Sequence, residues 1–139
     1  MPRLAPLTLP GLLAEAERLL RRATLASGAV PACALLAGSD GRLSALRFTV
    51  PEDAAARAAL AEVLRIELRR RGARAGVLAF EAPAEAPDHP ACLVLEGHAL
   101  APLQAAVRLL AIERRDGRIV ALRPLRPAAS PRQRRRAIA

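Results

Sequence analysis

The stretch Ile112-Glu113-Arg114-Arg115-Asp116-Gly117-Arg118-Ile119-Val120-Ala121-Leu122 decides the fold class. An Asp-Gly pair readily takes the two positive φ angles of a tight hairpin turn, and here it stands between two runs suited to strands. Residues 112–115 and 118–122 therefore read as an antiparallel hairpin. Upstream, 103–111 is ambiguous. Leu103, Ala106, Val107 and Leu110 fit one face of a helix, whereas Val107, Leu109 and Ala111 alternate as a strand does. The hairpin favours strand for at least the last part of 103–115.

The same signal occurs earlier in the chain. Runs 30–37 and 43–50 flank Ser39-Asp40-Gly41-Arg42, and Leu46, Phe48 and Val50 alternate with Ala45, Arg47 and Thr49. A helix over about 10–26 precedes this hairpin, with Leu12, Leu13, Ala16, Leu19, Leu20 and Ala23 on one face. Thr8 caps its start, Pro10 fits the first turn, Glu17 stands four residues before Arg21, and Ser27-Gly28 supplies the stop. A second helix follows the hairpin. Thr49 and Glu52 stand three apart as a capping box, and Pro51, Glu52 and Asp53 form the first turn. Leu60, Val63, Leu64 and Leu68 face the core, and Arg69, Arg70 and Arg71 complement the negative end before Gly72.

Two more strands read at 75–80 and 91–96, separated by a loop with Pro83, Pro87 and Pro90. Gly97 and Pro102 frame the next connection. The element order α-β-β-α-β-β-β-β predicts an α+β domain. Its sheet is mainly antiparallel, of five or six strands, with two amphipathic helices in two or three layers. An amino-terminal arm spans 1–8, the domain 9–123, and a basic Pro/Arg-rich tail 124–139.

Composition narrows the function classes. A chain of 139 residues suits one domain, and 53% hydrophobic with 25% charged residues excludes a disordered protein. Aromatic content of 1% makes the core aliphatic and removes base-stacking platforms, since Phe48 and Phe80 are the only rings of that kind. All 22 basic residues are Arg, and neither Lys nor Asn occurs, a composition that resembles GC-rich coding. Without Lys there is no Walker lysine, so an ordinary P-loop hydrolase is excluded. Of the net +9, five charges belong to the arginines of 126–139, leaving a mildly basic body. The longest stretch free of Asp, Glu, Arg and His, 23–39, has 17 residues broken by Gly28 and Pro31, short of the roughly 20 that span a bilayer. No export signal is visible, so a cytoplasmic protein without a membrane span is expected.

Candidate chemistry is sparse. A metal site would draw on His89, Cys92 and His98 with Cys33 or Asp88, but the spacing fits no standard finger. The expectation is no metal and no cofactor, with both His on loops and both Cys packed in apolar runs. Cys33 lies between two alanines with no nearby charge in sequence to activate it, and no nucleophile-elbow pattern surrounds any Ser. Glu81, Glu85, Asp88 and His89, with Glu96, form the one set able to converge for acid and base work. Acids at strand ends and in loops more often serve solubility. In the tail, Arg132, Arg134, Arg135 and Arg136 suit contact with phosphates of nucleic acid or an anionic lipid surface. The leading expectation is a small non-catalytic protein acting through self-association or docking to another protein. It rests on the missing catalytic set and on apolar runs 30–37 and 91–95, which want cover on both sides. Electrostatic binding through the tail and a small enzyme built around 81–98 are the alternatives.

Overall fold

The structure is a computed structural model that describes residues 8–84 and 90–125. Helix α1 (Leu9–Ser27) begins where Thr8 takes extended backbone angles and its Oγ1 accepts a hydrogen bond from the Gly11 N–H at 3.1 Å. It ends at Gly28, whose φ of +79° lets its N–H return to the Thr24 carbonyl at 2.7 Å. Both ends match the sequence reading to within one residue.

Helix α2 (Ala54–Arg70) starts later than the capping box predicted. Asp53 is the cap, its Oδ1 accepting from Ala56 N–H at 2.7 Å, and Thr49 takes no part. Pro51 explains the shift, because a proline steers the residue before it away from helical angles. Asp53 is the next residue with a capping side chain. A second correction concerns the helix face: Ala61, Leu64 and Leu68 are buried, whereas Val63 is 53% exposed. A narrow stripe seated on a sheet buries 61, 64 and 68 and leaves 63 on the flank. Arg71 and Gly72 (φ +63°) close the helix as expected.

The strands are β1 (Cys33–Ala37), β2 (Leu43–Arg47), β3 (Ala75–Ala82), β4 (Cys92–Leu100), β5 (Leu103–Arg115) and β6 (Arg118–Leu125). They form one antiparallel sheet in the order β2-β1-β3-β4-β5-β6. The fold class therefore stands as an α+β domain with two helices and six strands. The ambiguous segment is strand throughout, 13 residues long. Asp116 (φ +50°) and Gly117 (φ +78°) make the turn that joins it to β6. β6 continues through Pro124 to Leu125, two residues past the expected boundary at 123.

Alternation along the strands divides the interior in two. Leu12, Leu13, Ala16 and Leu20 of α1 pack on Leu35, Val77, Leu93, Leu95, Leu110, Ile119 and Leu122. On the opposite face, Ala61, Leu64 and Leu68 of α2 pack on Ala34, Leu36, Leu78, Phe80 and Val94. The result is three layers, helix, sheet, helix. β1 is buried at all five positions because both faces are covered. Gly97 is a correction as well. It lies inside β4, facing α1, and a Cβ there would stand 2.9 Å from Leu9 Cδ1 and 3.1 Å from Leu13 Cδ2. Its lack of a side chain admits the helix and serves no turn. Each buried leucine of α1 contributes about 1.5–3 kcal/mol of transfer free energy. The α1 core reaches across to β6, whereas the α2 core includes no β6 residue.

Candidate functional site

Glu81 sits near the end of β3 on the α1 side of the sheet, where its Oε1 pairs with the Arg114 guanidinium. Glu85, Asp88 and His89 lie outside the described residues, as do Arg132, Arg134, Arg135 and Arg136. His98 is not on a loop. It belongs to β4, is 3% exposed, and its Nε2 lies 2.8 Å from Glu96 Oε1, its neighbour on the same face. Its Nδ1 is buried and has no hydrogen-bond partner among the described residues. A lone polar residue between Gly97 and Ala99 gives no hint of burial in sequence, which is why His98 reads as a loop residue.

Cys92 and His98 occupy opposite ends of one face of β4, about 20 Å apart at 3.3 Å per residue. Cys33 lies on β1, two strands away and on the α1 side. Burial pushes its thiol above the ordinary cysteine range, opposed in part by the charge of Arg47. Of the candidates among the described residues, Cys33, Cys92 and His98 lie apart, and the one pairing is His98 with Glu96. Among the described residues, no three His, Cys, Asp or Glu side chains are grouped to hold a metal ion.

A different feature stands out at the β5–β6 end. β6 pairs with β5 only from Leu109 to Arg115, so among the described residues no strand lies beside 103–108 on that side. Backbone direction follows from the ladder. The Ile112 N–H donates to Ala91 O at 2.9 Å, so even-numbered residues of β5 turn their polar groups toward β4. Odd-numbered residues turn theirs the other way, and the N–H and C=O groups of Leu103, Ala105 and Val107 point off the open edge. Their side chains share the face on which α2 lies, but α2 does not cover them. Leu103 is 70% exposed and Val107 55% exposed, and Ala105 between them is exposed too. Val120 adds a further exposed apolar side chain on β6.

Where β6 ends, a hollow of about 430 Å³ opens between Val107, Arg108, Leu109, Leu110, Pro124, Leu125 and Glu17. Arg108 reaches the other face, where its guanidinium lies 3.5 Å from Glu17. Sequence reasoning left 103–111 open between helix and strand, favoured strand only for the last part of 103–115, and missed the edge. Its signal was the alternation Leu103, Ala105, Val107, Leu109, Ala111, unbroken by charge on one face. No helix among the described residues is long and apolar enough to cross a membrane. Compared with known protein families, curated proteins and solved structures, the chain matches none.

Proposed function

We propose that the protein is a small non-catalytic domain that acts by protein association, first of all with itself, through the β5–β6 end of its sheet. The observation that carries this is the edge at 103–108, whose outward backbone groups have no strand partner among the described residues and run beside exposed Leu103 and Val107. Sheet edges in soluble proteins are ordinarily blunted by charge, proline or a covering element. Between Leu103 and Val107 there is no charged side chain and no proline. Such an edge, beside apolar side chains that α2 leaves bare, fits a surface that is covered in use.

The acids also favour this reading. Glu15, Glu17, Glu62, Glu67, Glu81 and Glu113 each engage an arginine, so these carboxylates are spread over the surface in ion pairs. Light scattering on the full chain between 1 and 100 µM, against a Leu103→Glu/Val107→Glu variant, tests the proposal. The wild type should be oligomeric and the double variant monomeric, with unchanged far-UV circular dichroism because both side chains are exposed. A wild type that stays monomeric at 100 µM would overturn it.

A further inference from the structure

Resting on that self-association, we infer its geometry: two copies join β5 to β5, antiparallel, across a two-fold axis at Ala105, giving one continuous sheet of twelve strands. Outward-pointing residues must face outward-pointing residues if each is to exchange a pair of hydrogen bonds. For this edge that restricts the pairing to odd against odd. One register then fills the opening, with Leu103 opposite the second copy's Val107, Ala105 opposite its counterpart, and Val107 opposite Leu103. All three outward residues on each copy gain both backbone partners. Sliding two residues one way sets Leu103 of one copy against Leu109 of the other, a place Leu125 already holds. Sliding two the other way leaves Val107 opposite Ala101, beyond the strand.

The side chains agree with that register. On the α2 face, Leu103 meets Val107 twice, and these exposed apolar side chains cover one another. The smallest side chain, Ala105, falls at the axis, where a side chain meets its own copy. On the α1 face, Gln104 meets Ala106, and Arg108 lies opposite Pro102. The two Arg108 charges are therefore separated by about six residues, roughly 20 Å, well past the screening length near 8 Å in physiological salt. No like charges are opposed. A closed two-fold contact of this kind uses the same patch on both copies and cannot propagate into a fibre.

The sequence denies the simplest rival, an extension of β6 along the same edge. Carrying the Leu109–Leu125 register onward places residue 127 opposite Val107 and residue 131 opposite Leu103. Both are proline, without the N–H that those positions require. Pro124, by contrast, falls where its nitrogen faces away from β5, so it protects the outer edge of β6. An in-register continuation of β6 is therefore disfavoured at 103–107, and a second copy is the occupant proposed.

Cysteine at the axis tests the arrangement. The Ala105→Cys variant, oxidised at micromolar concentration, should form a covalent dimer in high yield, because directly opposed residues lie within the Cα separation a disulfide spans. The wild type, with Cys33 and Cys92 in place, is the control and should stay uncrosslinked. A mixture of Leu103→Cys and Val107→Cys should crosslink more than either variant alone. Ala105→Pro, which removes the axial N–H, should weaken the dimer at least tenfold by sedimentation velocity. If it fails to fold, the crosslinking still decides. A wild-type dimer that crosslinks at none of these positions would overturn the edge pairing and leave self-association standing, whereas a monomeric wild type would overturn both. Crosslinking of Leu103→Cys with itself would refute the register.

Discussion

Replacing Gly97 with alanine probes the fit between α1 and β4 at its tightest point. The new Cβ would stand 2.9 Å from Leu9 Cδ1, 3.1 Å from Leu13 Cδ2 and 3.2 Å from Leu13 Cγ. Carbon atoms prefer about 3.5–4.0 Å, so these side chains or the helix must retreat by roughly half an ångström. Leu9 and Leu13 are buried and have little space into which to turn. Overpacking of this degree costs about 1–3 kcal/mol. Removing a glycine also reduces the freedom of the unfolded chain, which returns about 0.4–1 kcal/mol. A net loss of about 1–2 kcal/mol is expected, read as a lower urea midpoint with unchanged slope, at one fixed protein concentration because the proposed association contributes to stability. Leu13→Ala alone should cost about 2–5 kcal/mol through its cavity. In the double variant the two faults occupy the same space, so the combined loss should fall short of the sum by about 0.5–3 kcal/mol. Strict additivity, or a Gly97→Ala protein as stable as wild type, would refute the reasoning.

Asp53→Ala should destabilise by about 1 kcal/mol through loss of the α2 cap, whereas Thr49→Ala should have no comparable effect in the same denaturation assay. Burial raises the Cys33 thiol above its unfolded range, so its peptide should alkylate more slowly in native protein than in urea, by mass spectrometry. The linked stability is complete below the unfolded thiol pKa and is lost as pH rises through the higher folded value. Unfolding free energy should accordingly decline on the alkaline side, and Cys33→Ala should flatten that decline.

Local chemistry made much of the fold legible. Asp116-Gly117 fixed a turn because few other residue pairs accept two positive φ angles, and Thr8 with Gly28 bracketed α1 because cap geometry is set within a few residues. What could not be read locally depends on partners distant in sequence. Thr49 and Asp53 are both competent caps, and only the path around Pro51 chooses between them. Gly97 resembles turn punctuation until a helix 80 residues earlier is laid against it. His98 and Glu96 became neighbours through strand alternation that carried 92–100 past the glycine. The edge at 103–108 is, among the described residues, a difference in length between β5 and β6, a property of pairing that no single segment contains.

The end of α1 is fastened to the last strand. Arg118 donates to the Ala26 carbonyl at 3.0 Å across 92 residues of sequence, the Ile119 N–H donates to Gly28 O at 2.9 Å, and Arg21 reaches Leu122 O at 2.9 Å. Ala26 is synthesised 92 residues before Arg118, so this clasp cannot close until β6 has been made. At about 5–20 residues per second, roughly 5–20 seconds pass between translation of Ala26 and Arg118. Throughout that interval the leucine stripe of α1 lacks part of its final cover. A nascent chain halted before Arg118 would therefore keep part of that stripe uncovered, and the clasp closes only when α1 meets β6.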